Sequence, residues 1–409
     1  MKLIFKHKSY LLISILLLLL SGTIFYTNEW AFLQPMLLAF SLIFLYIVAL
    51  VYKISLKFER KIITIFLLFT VLSVISSLVN QDVELLMRTL ILFLTFIGCV
   101  AILPNLILKH YKINEYSNIV VDAFLYSHVP LILIPIILNG LVLTSYNAYQ
   151  GMFYNPNAFG LVMVTIFSLI LSEVLNILDK YIFEKTKFDK RSIIFKILIL
   201  IIILLLVIIS SSRTSAITAL CLIIFSLYLL IRKSVKTCNV NVKKLKKSLG
   251  VVIIVILLST TLYVFTPIGN VINDSILTKF ELKSYDVFDG RTNVWSITIE
   301  EARLFGHGRG FFDEKISAHN TFISILAQYG WIPLFVFIIL LYKIYLSVYN
   351  YALSSISDKY SYFPLLVFVT FIVTSIGEGM LYKVSMFLML ICYGNVLMIT
   401  SKNHSKKIN

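Results

Sequence analysis

The stretch 204-LLLVIISSSRTSAITAL-220 decides how this chain is read. Two apolar runs flank a short run of hydroxyl residues that holds one cation, Arg213. No acid stands near it in the sequence to neutralise it. Extended outward, each flank approaches the roughly 20 apolar residues that a membrane-spanning helix needs. The stretch is therefore two spans joined by a tight turn, with a guanidinium at the membrane boundary.

The same window, moved along the chain, finds about twelve spans: 10–27, 31–52, 62–79, 85–104, 120–140, 157–178, 193–210, 214–231, 249–267, 331–350, 362–377 and 382–400. Composition agrees. Of 409 residues, 59% are hydrophobic and only 14% charged, and the mean hydropathy is +0.93. A soluble domain of this size carries more charge. The opening "MKLIFKHK" looks like the head of a signal peptide. The run behind it lacks a small-residue cleavage site and leads straight to another span, so it reads as an uncleaved first helix. The expected fold is an all-α polytopic membrane protein with one large, partly helical extracytoplasmic loop before the tenth span. Three stretches follow: 1–267 with spans one to nine, the loop 268–330, and 331–409 with the last three spans and a tail.

The net charge of +16 follows membrane topology. With the N-terminus placed in the cytoplasm, most of the 36 Lys and Arg fall on the inner side, in segments such as "KISLKFERK" and "DKYIFEKTKFDKR". The short outer loops carry at most one each, which is the bias that orients spans. Both termini are expected in the cytoplasm, and the basic excess is no footprint of nucleic acid. The four cysteines lie in spans or an inner loop, away from the outer segment, so no disulfide framework is indicated. No Cys/His cluster has metal-ligand spacing, and no glycine loop of phosphate-cradling form lies on the inner side.

Three outer segments remain for chemistry: the connection ending "YNPNAFG" (154–160), the turn with Arg213, and the long stretch 268–330. A loop of that length is functional or disordered, and its periodic apolar residues favour a folded one. Within it, 289-DGRTNVWSITIEEARLFGHG-308 predicts a helix capped by Asp289 or Thr292, with Val294, Ile297 and Leu304 as its apolar stripe and Gly306 as its end. A second helix is predicted from Asn320 to Gly330, with Phe322, Ile325 and Leu326 laying it on the membrane or leading it into the tenth span. Arg291 near a helix start, like Arg213, suits a diphosphate, because a helix N-terminus adds free N–H groups and positive dipole. The structural alternative has each arginine reaching lipid headgroups or pairing with an outer acid.

These pieces resemble the O-antigen ligase and polysaccharide polymerase superfamily. "YNPNAFG" heads a span, "SSSRTSAI" sits at a span boundary, and "GRTNVWSITIEEARLFGHGRG" with "AHNTFISILAQYGWIPL" fills a late outer loop. The resemblance implies a fold of the GT-C type and a glycosyltransferase using undecaprenyl-diphosphate-linked glycan at the outer face of the cytoplasmic membrane. The loop 268–330 then becomes the catalytic loop, and Arg213, Arg291 and His319 match the family's span-boundary arginine, loop arginine and loop histidine. The implied partners are the lipid-linked donor, a glycan acceptor, the bilayer, a flippase and a chain-length regulator, with no nucleic acid. No cofactor and no metal is implied.

The chemistry is consistent with these residue types. Charge develops on a departing diphosphate, and fixed guanidiniums stabilise it. The acceptor hydroxyl must lose a proton, and a histidine such as His319 suits that task or instead ties the loop down. Asn155, Asn157, Asn320 and Trp295 are the further substrate-binding candidates. Asn155 and Asn157 also suit the entry of the sixth span, and Tyr154, Trp295, Tyr329 and Trp331 also suit an interfacial aromatic belt. His307, between glycines, reads as part of a backbone turn, and His128, inside a span, as a packed core residue. Asp289, Glu300 and Glu301 read as residues that orient the arginines or solvate the loop. The leading expectation is a polymerase of lipid-linked repeat units for a capsular or O-antigen-type polysaccharide. A ligase moving finished glycan is the nearest alternative, and a lipid-linked sugar transporter or flippase the alternative of another class. Transporters place charges inside spans and show related halves. The few here (Arg88, Asp122, Glu173, Lys196, Lys343) sit mostly near span ends, and no half resembles the other.

Overall fold

The computed structural model describes residues 15, 17–18, 33–51, 53, 59–110, 112–143, 148–153, 155–183, 189–236, 250, 291–312, 318–354, 359–381 and 384–408. Nearly all of the first expected span, the ninth span 249–267, the front of the outer segment with Asp289, and Tyr154 lie outside them. Hydrocarbon offers no partner for backbone N–H and C=O, so a spanning segment must bond within itself. Among the described residues the regular structure is accordingly helical: α1 (Leu33–Val51), α2 (Arg60–Val79), α3 (Val83–Phe96), a π turn (Ile97–Ile102), α4 (Leu103–His110), α5 (Ile113–Asn139), α6 (Pro156–Phe183), α7 (Lys190–Ile209), α8 (Arg213–Lys236), α9 (Arg291–Glu301), a 3₁₀ turn (Arg309–Phe312), α10 (Thr321–Tyr329), α11 (Trp331–Leu353), α12 (Phe363–Gly377) and α13 (Val384–Ile408). Seven stretches are long and apolar enough to cross a membrane, and shorter apolar helices cover Pro35–Val51, Phe363–Gly377 and Phe387–Thr400. Each expected span within the described residues falls on one of these helices. The chain is a multi-pass membrane protein.

Packing divides the chain into two units that interleave in sequence. Unit 1 is Met1–Pro130, Tyr285–Tyr351 and Ser375–Asn409; unit 2 is Leu131–Ser284 and Ala352–Thr374. In unit 1, α2 and α3 form a hairpin around Asn80, Gln81 and Asp82. Gln81 takes a φ of 53°, and Asp82 caps α3 by accepting from the Leu85 N–H at 2.8 Å. The π turn leaves carbonyls outside the regular helical ladder. Cys392 donates to the Cys99 carbonyl at 2.9 Å, and Asn395 donates to that of Val100, so α13 closes over the turn. His128 is fully buried in α5 beside Phe124, with Nδ1 2.6 Å from the Ser127 hydroxyl, as a packed core residue.

Unit 2 is built around α6, of whose most apolar window 89% is buried against 28% for α7. The buried helix carries Thr165, Ser168 and Ser172, whose hydroxyls return bonds of 2.7–2.8 Å to carbonyls one turn back. The outward one is almost wholly Ile and Leu. Hydrogen-bonded hydroxyls are cheap inside protein, whereas the lipid-facing side needs apolar surface. Ion pairs tie the unit: Glu173 of α6 contacts Lys196 of α7 and Lys359 (2.9 Å), and Asp179 contacts Lys233 of α8 at 2.8 Å. Burial works against a charged Lys359, but its hydrogen bonds to Tyr360 and Glu173 outweigh this and raise its pKa above the ordinary lysine value.

Candidate active site

The site in unit 1 grows from two short helices and one turn. α9 begins at Arg291, whose Nη1 donates to the Gly377 carbonyl at 3.1 Å, where α12 ends. One turn on, the Trp295 indole N–H donates to the Ala318 carbonyl at 2.8 Å. That bond fixes the residue before His319. On its other side Asn320 is an N-cap: its side-chain oxygen accepts from the N–H groups of Phe322 (2.9 Å) and Ile323 (3.2 Å). His319, held between, takes a φ of 45° in the left-handed region, which side chains with a Cβ resist. Its Nδ1 lies 3.6 Å from the Glu378 carboxylate, whose side chain is only 7% exposed, while the imidazole itself is 40% exposed. Thr321 completes the join. Its hydroxyl donates to the Glu378 carbonyl (3.0 Å) and accepts from the Met380 N–H (2.7 Å). The turn Gly377–Met380 is thus held by the heads of both helices.

Two expectations about this region change. α9 ends at Glu301 and not at Gly306. The carbonyls of Arg303 and Leu304 accept from the N–H groups of Trp331 (3.1 Å) and Ile332 (3.3 Å), so tertiary backbone bonds replace the helical ladder. Its buried face is then Val294 and Thr298, while Ile297 and Leu304 are exposed, and Thr292 lies inside the helix rather than at its cap. α10 starts after Asn320, stops at Gly330 and leads straight into α11 at Trp331, the second of its two expected courses, while Ile325 and Leu326, 1% exposed, pack inside unit 1. Tyr329 is equally buried, its hydroxyl 3.0 Å from that of Thr89, so this ring is core and unavailable to a sugar.

The glycine-rich segment is a clasp. Gly306 and Gly308 adopt φ of 66° and 76°, and the His307 and Gly308 N–H groups donate to Ala327 (2.8 Å) and Gln328 (3.2 Å) on α10. The His307 ring lies tilted against Phe311 and bonds the Glu301 carbonyl at 2.7 Å, so this histidine belongs to the turn. Asn80 donates to the Phe305 carbonyl (2.9 Å), and Asp82 accepts from the Arg309 N–H (2.6 Å). Glu300 is exposed, away from the Arg291 end of α9, and accepts from Ser296 at 3.0 Å.

In unit 2 the other two motifs meet. Asn155 caps α6, accepting from the Ala158 N–H at 2.8 Å, with Pro156 as the first helical residue and Asn157 beside it. Gly160 lies against the serine turn: a Cβ there would stand 2.7 Å from the Ser215 hydroxyl and 2.8 Å from that of Ser210. The Tyr149 N–H donates to the Ile209 carbonyl at 2.9 Å. Ser211 takes a φ of 53°, Ser212 and Ser215 share a hydrogen bond of 2.9 Å, and Arg213 opens α8, half-buried.

Arg291, Trp295, His319 and Asn320 therefore gather in unit 1, and Arg213, Asn155 and Asn157 belong to unit 2. Glu378 and Thr321 are the members that sequence reasoning missed. The available signal was "GEG" (377–379), an acid between glycines at the end of an apolar run. Among the described residues, no three His, Cys, Asp or Glu side chains gather as a metal site would.

Residues 198–338 match the family model described as O-antigen ligase, about a third of the chain. The match runs from α7 into α11 and contains Arg213, Arg291 and His319, while Asn155 and Glu378 fall outside it. No curated protein matches the chain. Over residues 198–338, then, this multi-pass membrane protein is similar to the O-antigen ligase family.

Proposed function

We propose that this protein transfers glycan from an undecaprenyl-diphosphate-linked donor to a sugar hydroxyl at the outer face of the cytoplasmic membrane, joining repeat units into a surface polysaccharide. One observation carries the reading: Arg291 at the head of α9 and His319 in the turn before α10 both reach the successive residues Gly377 and Glu378. Their meeting puts a fixed cation and a partly exposed imidazole in one place. Further support comes from the turns around Asn80 and Gly377. Alternating the spans from a cytoplasmic N-terminus assigns both to the outer side, with the loop they bind.

In the reaction, the anomeric carbon loses its bond to the diphosphate and gains one to the acceptor oxygen. Arg291 stabilises the charge that gathers on the departing diphosphate. His319 takes the proton of the attacking hydroxyl. The carrier bond is already activated, so no nucleotide enters. For Arg213 in unit 2, loss of transfer is expected on substitution by Ala.

The ligase reading is favoured by the description of the matched family. Deleting the gene and analysing the lipid-linked glycan separates the two. Single repeat units accumulating on the carrier mark a polymerase, and long chains stranded there mark a ligase. Glycan held on the cytoplasmic leaflet would contradict both and mark a flippase.

A further inference from the structure

We infer that Glu378 is the positioning residue for His319: its buried carboxylate accepts a hydrogen bond from the imidazole Nδ1–H and leaves Nε2 as the atom that takes the acceptor's proton. The inference rests on the glycosyl-transfer reading above and adds to it a residue that lies outside the matched domain.

Three observations carry it. The Glu378 side chain is 7% exposed and its carboxylate stands 3.6 Å from His319 Nδ1, beyond hydrogen-bond length but within ion-pair reach. Catalytic hydrogen bonds in ligand-free structures are commonly long and tighten when substrate closes the site. Second, the backbone on both sides of the pair is locked. Ala318 is bonded to Trp295, Asn320 caps α10, and Thr321 bonds both the Glu378 carbonyl and the Met380 N–H. Third, His319 keeps a left-handed φ of 45°. Such a conformation costs on the order of 1 kcal/mol and persists only where the surroundings impose it. Here they impose the approach of an imidazole to a buried acid. The other charged groups on the helices that flank His319 are Arg291 at the head of α9 and Glu300 and Glu301 at its far end.

A neutral imidazole has one N–H and one lone pair, and the group bonded to Nδ1 decides which nitrogen carries which. With Nδ1–H directed at Glu378, the lone pair on Nε2 faces outward. As the acceptor oxygen attacks, its proton passes to Nε2, and the anomeric C–O bond breaks with its electron pair going to the diphosphate. The imidazolium, stabilised meanwhile by the carboxylate, then releases the proton to water.

The test uses the full-length protein in lipid nanodiscs and lipid-linked glycan extracted from cells lacking the gene. E378Q keeps the shape and the backbone bonds to Thr321 but can present an amide N–H to Nδ1, which favours the wrong tautomer. A fall in kcat of roughly 10–100-fold, with KM for the donor unchanged, is expected from loss of such a supporting carboxylate. E378D should recover part of that loss, and the melting temperature of E378Q should stay that of the wild type. Wild-type kcat in E378Q, in a preparation where H319A is inactive, would overturn the role of Glu378 and leave the site standing. A rise in KM alone, or a loss of kcat matched by a fall in melting temperature, would overturn it too. Full activity in H319A would instead strike the underlying reading.

Discussion

His319 holds a left-handed backbone although it carries a Cβ. A left-handed backbone suits glycine, and glycine would remove the Cβ conflict at φ 45°. Relief of about 1 kcal/mol is partly offset by glycine's greater freedom in the unfolded chain, about 0.5–1 kcal/mol. His319→Gly is therefore expected to melt at or slightly above the wild-type temperature while losing glycan transfer. Melting several degrees lower would mean that the imidazole serves the fold. Asn155 and Asn320 stand on the other side of the ledger, each accepting backbone N–H bonds at a helix start. Both cap positions were legible as candidates because asparagine before a helix has a known partner in the N–H groups behind it. The strain at His319 was not, since nothing in "AHNT" tells which backbone region the histidine occupies.

Among elements, α10 and the glycine clasp are the parts most dependent on close backbone approach. A Cβ at Gly306 would lie 2.6 Å from the Gln328 carbonyl, and φ there is 66°. At Gly379, beside the candidate site, a Cβ would meet nothing within 4 Å. Gly306→Ala should lower the melting temperature by several degrees, the cost of forcing φ together with displacement of α10, whereas Gly379→Ala should leave it unchanged. Equal melting of the two variants would show that the clasp does not hold α10. The spans were legible because hydrocarbon demands long apolar runs, and the ends of α10 because Asn320 and Gly330 carry cap chemistry. The end of α9 was hidden. Helical periodicity continued past Glu301 to Leu304, but the carbonyls of Arg303 and Leu304 are taken by Trp331 and Ile332, far along the chain. No local pattern encodes such a bond.

Over the whole molecule, the linear order of spans, loop and spans describes the membrane path but not the packing. Unit 1 joins the hairpin of α2 and α3, the late loop and the last helix, and unit 2 joins the motifs around Asn155 and Arg213. Glu378 was missed for this reason: it is distant in sequence from every motif and enters the site only because α12 ends beside α9 and α10. The central claim is that Arg291 and His319 act together on a lipid diphosphate. Its most direct test is transfer by purified protein in nanodiscs, supplied with lipid-linked glycan from cells lacking the gene, with R291A and H319A compared at equal folded protein. The account predicts a loss of about 100-fold or more in kcat for each, the scale of a lost diphosphate stabiliser or general base. Transfer at the wild-type rate by either variant would contradict it.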